Sequence, residues 1–217
     1  MRKRVVILGG SGIGMIAASI LERTDSAEVV GFLNDVLPIG TEIGKYRKIR
    51  VVGKTCDLST YIDQGCFAFI AYVGLTKEKE TYEKIASLGL PREKYFSIID
   101  PTAIIPEGYC QIGKGVLFAP LSQLSPDTTI SDNCILLANS FVGHDSFLDR
   151  FAHVATNAVI GGNVHVGKAV HVGSNATIRE KVHIGDYSLI GAGAVVLEDV
   201  PESGVVVGNP ARILRVR

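Results

Sequence analysis

Residues 142–166 read VGHDSFLDRFAHVATNAVIGGNVHV, and a bulky apolar residue returns at every sixth position: Val142, Leu148, Val154, Ile160 and Val166. The same phase runs back through Leu136, Ile130, Leu124 and Phe118 to Ile112, and forward through Val172, Ile178, Ile184 and Ile190 to Val196. At 47% hydrophobic content, an unbroken run of this length has a chance probability on the order of 10⁻⁵. A period of six fits neither a helix nor an isolated two-faced strand. It fits a chain wound as a three-sided prism, one short strand per side, with coils stacked about 4.8 Å apart.

Side-chain alternation sends the residue two before each anchor inward as well, close to a corner where space is short. Small residues occupy most of these positions: Ser122, Thr128, Cys134, Ser140, Ser146, Ala152, Ala158, Ala176, Ser188 and Ala194, with Val at most of the rest. Glycine often follows the anchor, as in Gly113, Gly143, Gly161, Gly167, Gly173, Gly185 and Gly191. These glycines are expected where the backbone turns at positive φ.

Ahead of the prism the periodicity changes near residue 100, which predicts two domains, 1–100 and 101–217. Arg4 to Leu8 reads as a strand, followed by Gly9-Gly10-Ser11-Gly12-Ile13-Gly14 and a helical pattern from Met15 to Arg23. Strands are expected at Glu28 to Leu33, Arg50 to Val52, Phe67 to Val73 and Tyr95 to Ile99, with a helix from Lys77 to Ser87. Alternating strands and helices predict a small parallel α/β sheet of Rossmann type. A glycine-rich loop at a helix start offers backbone N–H groups and a positive dipole end to a phosphate. Its spacing departs from the dinucleotide fingerprint, and tight strand-to-helix packing is the competing reason for the glycines.

The formal net charge of zero offers no basic field for nucleic acid. No apolar run reaches membrane-spanning length, and the four cysteines, Cys56, Cys66, Cys110 and Cys134, lack any close pairing. They read as buried thiols of a cytoplasmic protein. All five histidines fall within the prism. His153, His165, His171 and His183 precede anchors and so project outward, whereas His144 lies at a corner. A solvated or interface surface accounts for His165, His171 and His183.

The hexad run, its closing segment Val207-Gly208-Asn209-Pro210-Ala211-Arg212 and the α/β front end resemble the hexapeptide-repeat sugar acetyltransferases. This group includes the bacillosamine and perosamine N-acetyltransferases and the sialic acid O-acetyltransferase. The resemblance implies a left-handed parallel β-helix, a hand that spacing alone does not give. It also implies acetyl-CoA as co-substrate and no metal. Val142-Gly143-His144-Asp145 matches the catalytic segment, implying His144 as general base with Asp145 beside it, where relatives usually carry Glu. His153 aligns with a residue contacting the acetyl donor, and the donor arm is expected beside Gly162, Gly173, Ser174, Gly191 and Ala192. Ser11, Gly12, Ile13, Asn34, Asp35 and Gly74 map onto the nucleotide-sugar site, with Ile13 standing where bacillosamine-type relatives have His.

His144 and His153 are half a coil apart, so one chain holds them on different parts of the prism. Together with the apolar outward strip Phe141, Val159 and Val195, this predicts a homotrimer with active sites between neighbouring prisms. The expected activity is acetyl transfer to the amine of a nucleotide-linked amino sugar. Three alternatives remain: O-acetylation of a sialic-acid-type hydroxyl, a zinc enzyme like the gamma-type carbonic anhydrases built on His153 and His171, and a non-catalytic nucleotide-sugar binder.

Overall fold

A computed structural model describes residues 2–72 and 78–217. The N-terminal body is a five-stranded sheet whose strands are β1 (Arg4–Leu8), β2 (Glu28–Leu33), β3 (Glu42–Ile43), β4 (Ile49–Gly53) and β5 (Phe67–Ile70). Their order is β3-β4-β2-β1-β5, and all pairs are parallel except β3 with β4. Among the described residues three α-helices accompany it: α1 (Ile13–Thr24), α2 (Leu58–Asp63) and α3 (Glu78–Ala86). β1 is buried over Val5, Val6, Ile7 and Leu8, which is why it reads as a continuous apolar run rather than an alternating one.

The segment Tyr95 to Ile99 does not form one strand of this sheet. Tyr95 bridges Ala68, whereas Ile98–Ile99 pairs with Leu117–Phe118 and so opens a sheet of the prism. The segment is a splice between the two bodies.

From Gln111 to Val196 fifteen two-residue strands follow, each ending on an anchor of the hexad run. Strands eighteen residues apart pair in parallel register, as Ile135 with His153 and His153 with His171, so the chain forms three flat sheets. Face I presents Gln111, Thr129, Phe147, His165 and His183 outward. Face II presents Leu117, Ile135, His153, His171 and Leu189, and face III presents Gln123, Phe141, Val159, Thr177 and Val195. Gly204–Val207 and the antiparallel Arg212–Val216 extend face II.

The anchors from Phe118 to Val196 are buried, as are the small inward residues, from Ser122 and Thr128 to Ser188 and Ala194. Several inward hydroxyls bond to backbone carbonyls: Thr128 donates to Ser125 at 2.7 Å and Ser146 to Gly161 at 2.9 Å. This satisfies polar groups that would otherwise be costly in an apolar column.

The corner glycines differ from expectation. Gly113, Gly143, Gly161, Gly167, Gly173, Gly185 and Gly191 are absent from the positive-φ residues. A Cβ on Gly161 would lie 2.7 Å from the Glu180 backbone nitrogen, and one on Gly143 2.6 Å from the Gly161 carbonyl carbon. They permit coils to stack closely. The left-handed conformation falls three residues after the anchors from Ile112 to Ile190 instead, half the time on Asn or Asp: Asp127, Asn133, Asn139, Asp145, Asn157, Asn163 and Asn175 all have φ near 60°. Phe151 and Tyr187 adopt it too, and Tyr82 of α3 packs edge-on against both, at centroid distances of 5.4 and 6.1 Å.

The two bodies share a core. Val5, Ile7, Leu21 and Phe32 cluster with Ile98, Leu117, Ala119 and Ile135, so the α/β body covers the upper part of face II. Buried Asp100 pairs with Arg23 and accepts from the Thr102 N–H and hydroxyl. Asp132 accepts two hydrogen bonds from Arg92, at 2.7 and 2.8 Å. Among the four cysteines, Cys66 and Cys134 are buried and Cys110 is half-buried, whereas Cys56 is exposed. No helix among the described residues is long and apolar enough to cross a membrane.

Candidate functional site

His144 stands on the corner between faces III and I and is exposed, with its Nδ1 2.7 Å from Asp145 Oδ2. Adjacent residues on an extended chain point apart; here the left-handed Asp145, φ 58°, folds its carboxylate back onto the imidazole. The fold supplies that turn at every corner, so the pair needs no special distortion. The ring's other edge lies over the next coil, where a Cβ on Gly162 would be 2.7 Å from His144 Nε2. Gly162 therefore leaves room for the imidazole. An exposed imidazole oriented by a carboxylate on Nδ1 is the arrangement a proton acceptor requires.

His153 projects from face II as its hexad phase predicts, but it does not reach solvent: it is 6% exposed. Its Nδ1 lies 2.6 Å from Nδ1 of half-buried His171, and its Nε2 is buried without a partner. Burial and the neighbouring ring push the His153 pKa down to about 3, and burial pushes His171 down to about 4. Both are neutral near pH 7, so a single proton is shared between the facing nitrogens. The exposed rings of His165 and His183 stack at 4.6 Å on face I, and Phe147 stacks on His165 at 4.9 Å. Among the described residues no group of three or more His, Cys, Asp or Glu side chains could hold a metal ion.

The glycines expected to make room for a donor arm act differently. A Cβ on Gly173 would meet the Ala192 backbone nitrogen at 2.7 Å, and one on Gly191 the Val207 side chain at 2.8 Å. Both point into neighbouring coils. They line the corner between faces II and III together with half-buried Ser174 and exposed Ala192. Gly162 lies on the His144 corner instead, so one chain does not bring the expected donor residues together.

In an open α/β sheet the ligand crevice is expected outside the C-terminal ends of the strands, here those of β1, β2 and β4. Gly12, φ 58°, precedes α1, whose start has no side-chain cap and no acidic residue in its first turn. The positive end of its dipole suits an anion. Ser11 is exposed and Ile13 half-buried, while a Cβ on Gly12 would meet nothing within 4 Å. Gly10 has a packing role, since its Cβ would meet Ile43 at 2.7 Å. Asn34 braces the crevice, donating to the Gly9 carbonyl at 2.9 Å and accepting from the N–H groups of Val36 and Leu37. Gly74 lies outside the described residues.

Asp35 Oδ1 accepts from the Thr55 N–H at 2.8 Å, and Oδ2 is bonded to Lys84 of α3. Partial burial pushes the Asp35 pKa up, but the bonds from Lys84 and Thr55 outweigh it and hold the carboxyl below its ordinary range. The sequence reading missed four partners here. Lys54 Nζ donates to the carbonyls of Asp35 and Leu37 at 3.1 and 3.3 Å, and Thr55 Oγ1 lies 3.2 Å from the Tyr72 hydroxyl. Lys84 is the fourth. None sits in a motif, and only the end of a predicted strand marks Lys54 and Thr55 as neighbours of a crevice.

Residues 163–198 match the family model described as bacterial transferase hexapeptide (six repeats). A mutant of perosamine N-acetyltransferase from Caulobacter crescentus, solved with CoA and GDP-perosamine, superposes with a TM-score of 0.82 at 26% identity, covering 96% of this chain and 95% of that one. The acetyltransferase domain of PglB from Neisseria gonorrhoeae, solved with acetyl coenzyme A, gives 0.81 at 25% identity over 99% and 100% of the two chains. The chain is an acyltransferase with a transferase hexapeptide repeat at residues 163–198. WeeI from Acinetobacter baumannii shares the fold, with a TM-score of 0.70 at 22% identity over 98% of this chain and 100% of that one. No curated protein sequence matches. As an acyltransferase of this build, the protein couples a left-handed parallel β-helix to a Rossmann-like body, and its candidate groups lie on both.

Proposed function

We propose that the protein transfers the acetyl group of acetyl-CoA to the amine of a nucleotide-linked amino sugar, working in the cytoplasm as a homotrimer. Residues 1–100 would hold the sugar nucleotide and residues 101–217 would carry the chemistry. The observation that carries this reading is the exposed His144–Asp145 pair at 2.7 Å. The perosamine enzyme was solved with CoA and GDP-perosamine and the PglB domain with acetyl coenzyme A, which supports these two ligand classes for this chain.

His144 Nε2 takes a proton from the acceptor amine as its nitrogen attacks the thioester carbonyl. A C–N bond forms, the tetrahedral adduct collapses with cleavage of the C–S bond, and the sulfur leaves as thiolate. Asp145 holds the imidazole with its proton on Nδ1 and stabilises the imidazolium. A thioester is already activated, so positioning and proton removal suffice without a covalent enzyme intermediate. The buried Cys134 thiol of the prism has its pKa pushed up by desolvation, which disfavours a thiolate nucleophile.

Prism geometry supports the trimer. His144 and Gly162 stand at one end of face III; Gly173, Ser174, Gly191 and Ala192 stand at the other. If three chains turn face III, with its apolar Phe141, Val159 and Val195, toward a common axis, each His144 corner meets the opposite corner of the next chain. The neighbour's face II, with His153 and its α/β body, then lies beside His144. His153 remains enclosed within its own chain, so on this reading it shapes the donor wall together with His171.

The test is acetyl transfer from acetyl-CoA to a panel of nucleotide amino and hydroxy sugars. His144→Ala should lower turnover by about 10²-fold or more with little change in donor affinity. Near-wild-type turnover would remove His144 from its role. Mixing His144→Ala with His153→Ala chains should restore some activity if the site is shared between subunits, and no restoration counts against the trimeric site.

A further inference from the structure

The crevice of the α/β body is internally neutralised in a way that a nucleotide, and neither of its halves, would relieve. Asp35 has both carboxylate oxygens engaged, Oδ1 by the Thr55 N–H and Oδ2 by Lys84. Lys54 is bound to two backbone carbonyls and acts as a fixed cation of the crevice wall. Lys84 differs from it: its side chain is 55% exposed, and it is paired with the carboxylate that a ribose or base edge would need.

We propose that Lys84 makes this crevice select a nucleoside diphosphate over the nucleoside or free phosphate, by exchanging Asp35 for the ligand's phosphoryl oxygens. The proposal rests on the nucleotide-sugar reading above. A nucleoside binding alone competes for Asp35 and leaves an ammonium without its partner. Inorganic phosphate binding alone draws Lys84 away and leaves a carboxylate unpaired. A ligand with both a neutral donor edge and a diphosphate completes both halves of the exchange, and each new bond is charge-assisted on one side. Asn34 ties the end of β2, next to Asp35, to Gly9 of the loop before α1 at 2.9 Å, so Asp35 and the start of α1 are held at the same end of the sheet. A diphosphate there would lie between the α1 N–H groups and the Lys84 ammonium. Lys84 touches ligand, not reacting atoms, so its role is in specificity.

Isothermal titration of the full chain with ADP, GDP, CDP, UDP and dTDP identifies the preferred base; that diphosphate, its nucleoside and inorganic phosphate are then titrated into Lys84→Met and Lys84→Arg. Lys84→Met should weaken the diphosphate about tenfold while leaving the nucleoside equal or tighter, because Asp35 is released. Lys84→Arg should recover most of the diphosphate affinity. Equal weakening of nucleoside and diphosphate would mean that Lys84 only holds Asp35 in place, and no change in either would mean that it takes no part; both overturn the exchange. Should none of the five diphosphates bind the wild-type chain, the nucleotide-sugar reading fails and the exchange falls with it.

Discussion

The prism solves one packing problem fifteen times, whereas the α/β body solves each of its contacts once. In the prism a residue's environment follows from its phase in the hexad: anchor inward, second residue before it inward and small, third residue after it left-handed. In the α/β body no comparable rule exists. Lys84 meets Asp35 across forty-nine residues, and Asp35 meets Thr55 across twenty. Where the same solution repeats, function needs only a change of side chain at a position already shaped. The His144–Asp145 pair occupies a corner whose backbone turn recurs at Asp127 and Asn163, so its geometry is inherited from the repeat.

The largest effect that separates the regions concerns acid stability. His153 and His171, on the prism, have native pKa values lowered to about 3 and about 4, whereas unfolded histidine titrates near ~6.5. Protons therefore bind the unfolded chain first. The stability from keeping the pair neutral is complete above about pH 6.5 and is lost as pH falls toward the native values, by about 1.4 kcal/mol per pH unit for each ring. Asp100 titrates lower: burial raises its pKa, but Thr102 and Arg23 outweigh that and hold it below the ordinary range. Its contribution is present above about pH 4 and is lost only as pH falls through the lowered native value. Thermal unfolding between pH 7 and 5 should therefore show a falling melting temperature in wild type and a flatter dependence in the double variant His153→Leu/His171→Leu. An unchanged slope would place the acid sensitivity elsewhere.

Periodicity made the prism legible in detail: the fifteen anchors, the small inward residues and the outward phase of the histidines all follow from sequence spacing. The left-handed corners were also written there, in the phase of Asn133, Asn139, Asn157 and Asn175, although the glycines after the anchors drew attention first. Phase cannot say what covers a face. His153 reads as outward, and the α/β body and α3 pack over that side of the prism, with Tyr82 against Phe151 and Tyr187. The crevice was legible only where a strand end and a glycine loop mark it. Lys84 came from a helix whose charges look like an ordinary solvated face, because ion pairs across long loops leave no local signature.

Gly162 sharpens the contrast between a repeat position and a functional one. Other glycines after anchors, such as Gly161, would drive a Cβ into backbone and should destabilise the fold by about 1–3 kcal/mol when changed to Ala. At Gly162 the atoms nearest to such a Cβ belong to the His144 ring, with Nε2 at 2.7 Å. Gly162→Ala should thus keep a melting temperature near wild type and lose about tenfold in turnover, equivalent to about 1.4 kcal/mol of transition-state stabilisation. Loss of stability comparable to Gly161→Ala would show that this corner is ordinary scaffold.

The smallest effect tests whether the corner conformation or the side-chain ladder matters. Asn157 has φ 59°, accepts from Asn139 at 2.9 Å and donates to Asn175 at 3.3 Å, all three being exposed or half-buried. Bonds of that kind in contact with water contribute little net stability, whereas an alanine forced into the left-handed region costs about 1 kcal/mol. Asn157→Ala should therefore lower stability by about 1 kcal/mol and Asn157→Gly by a few tenths, glycine having no penalty at this φ. The helix-terminating Asp25 of the α/β body, φ 53°, offers the same comparison outside the repeat, although its ion pair with Arg2 at 2.6 Å is lost in either substitution. If glycine and alanine cost the same at position 157 but differ at position 25, then the ladder rather than the backbone turn holds the prism's corners together, and the asparagines are there for their amides.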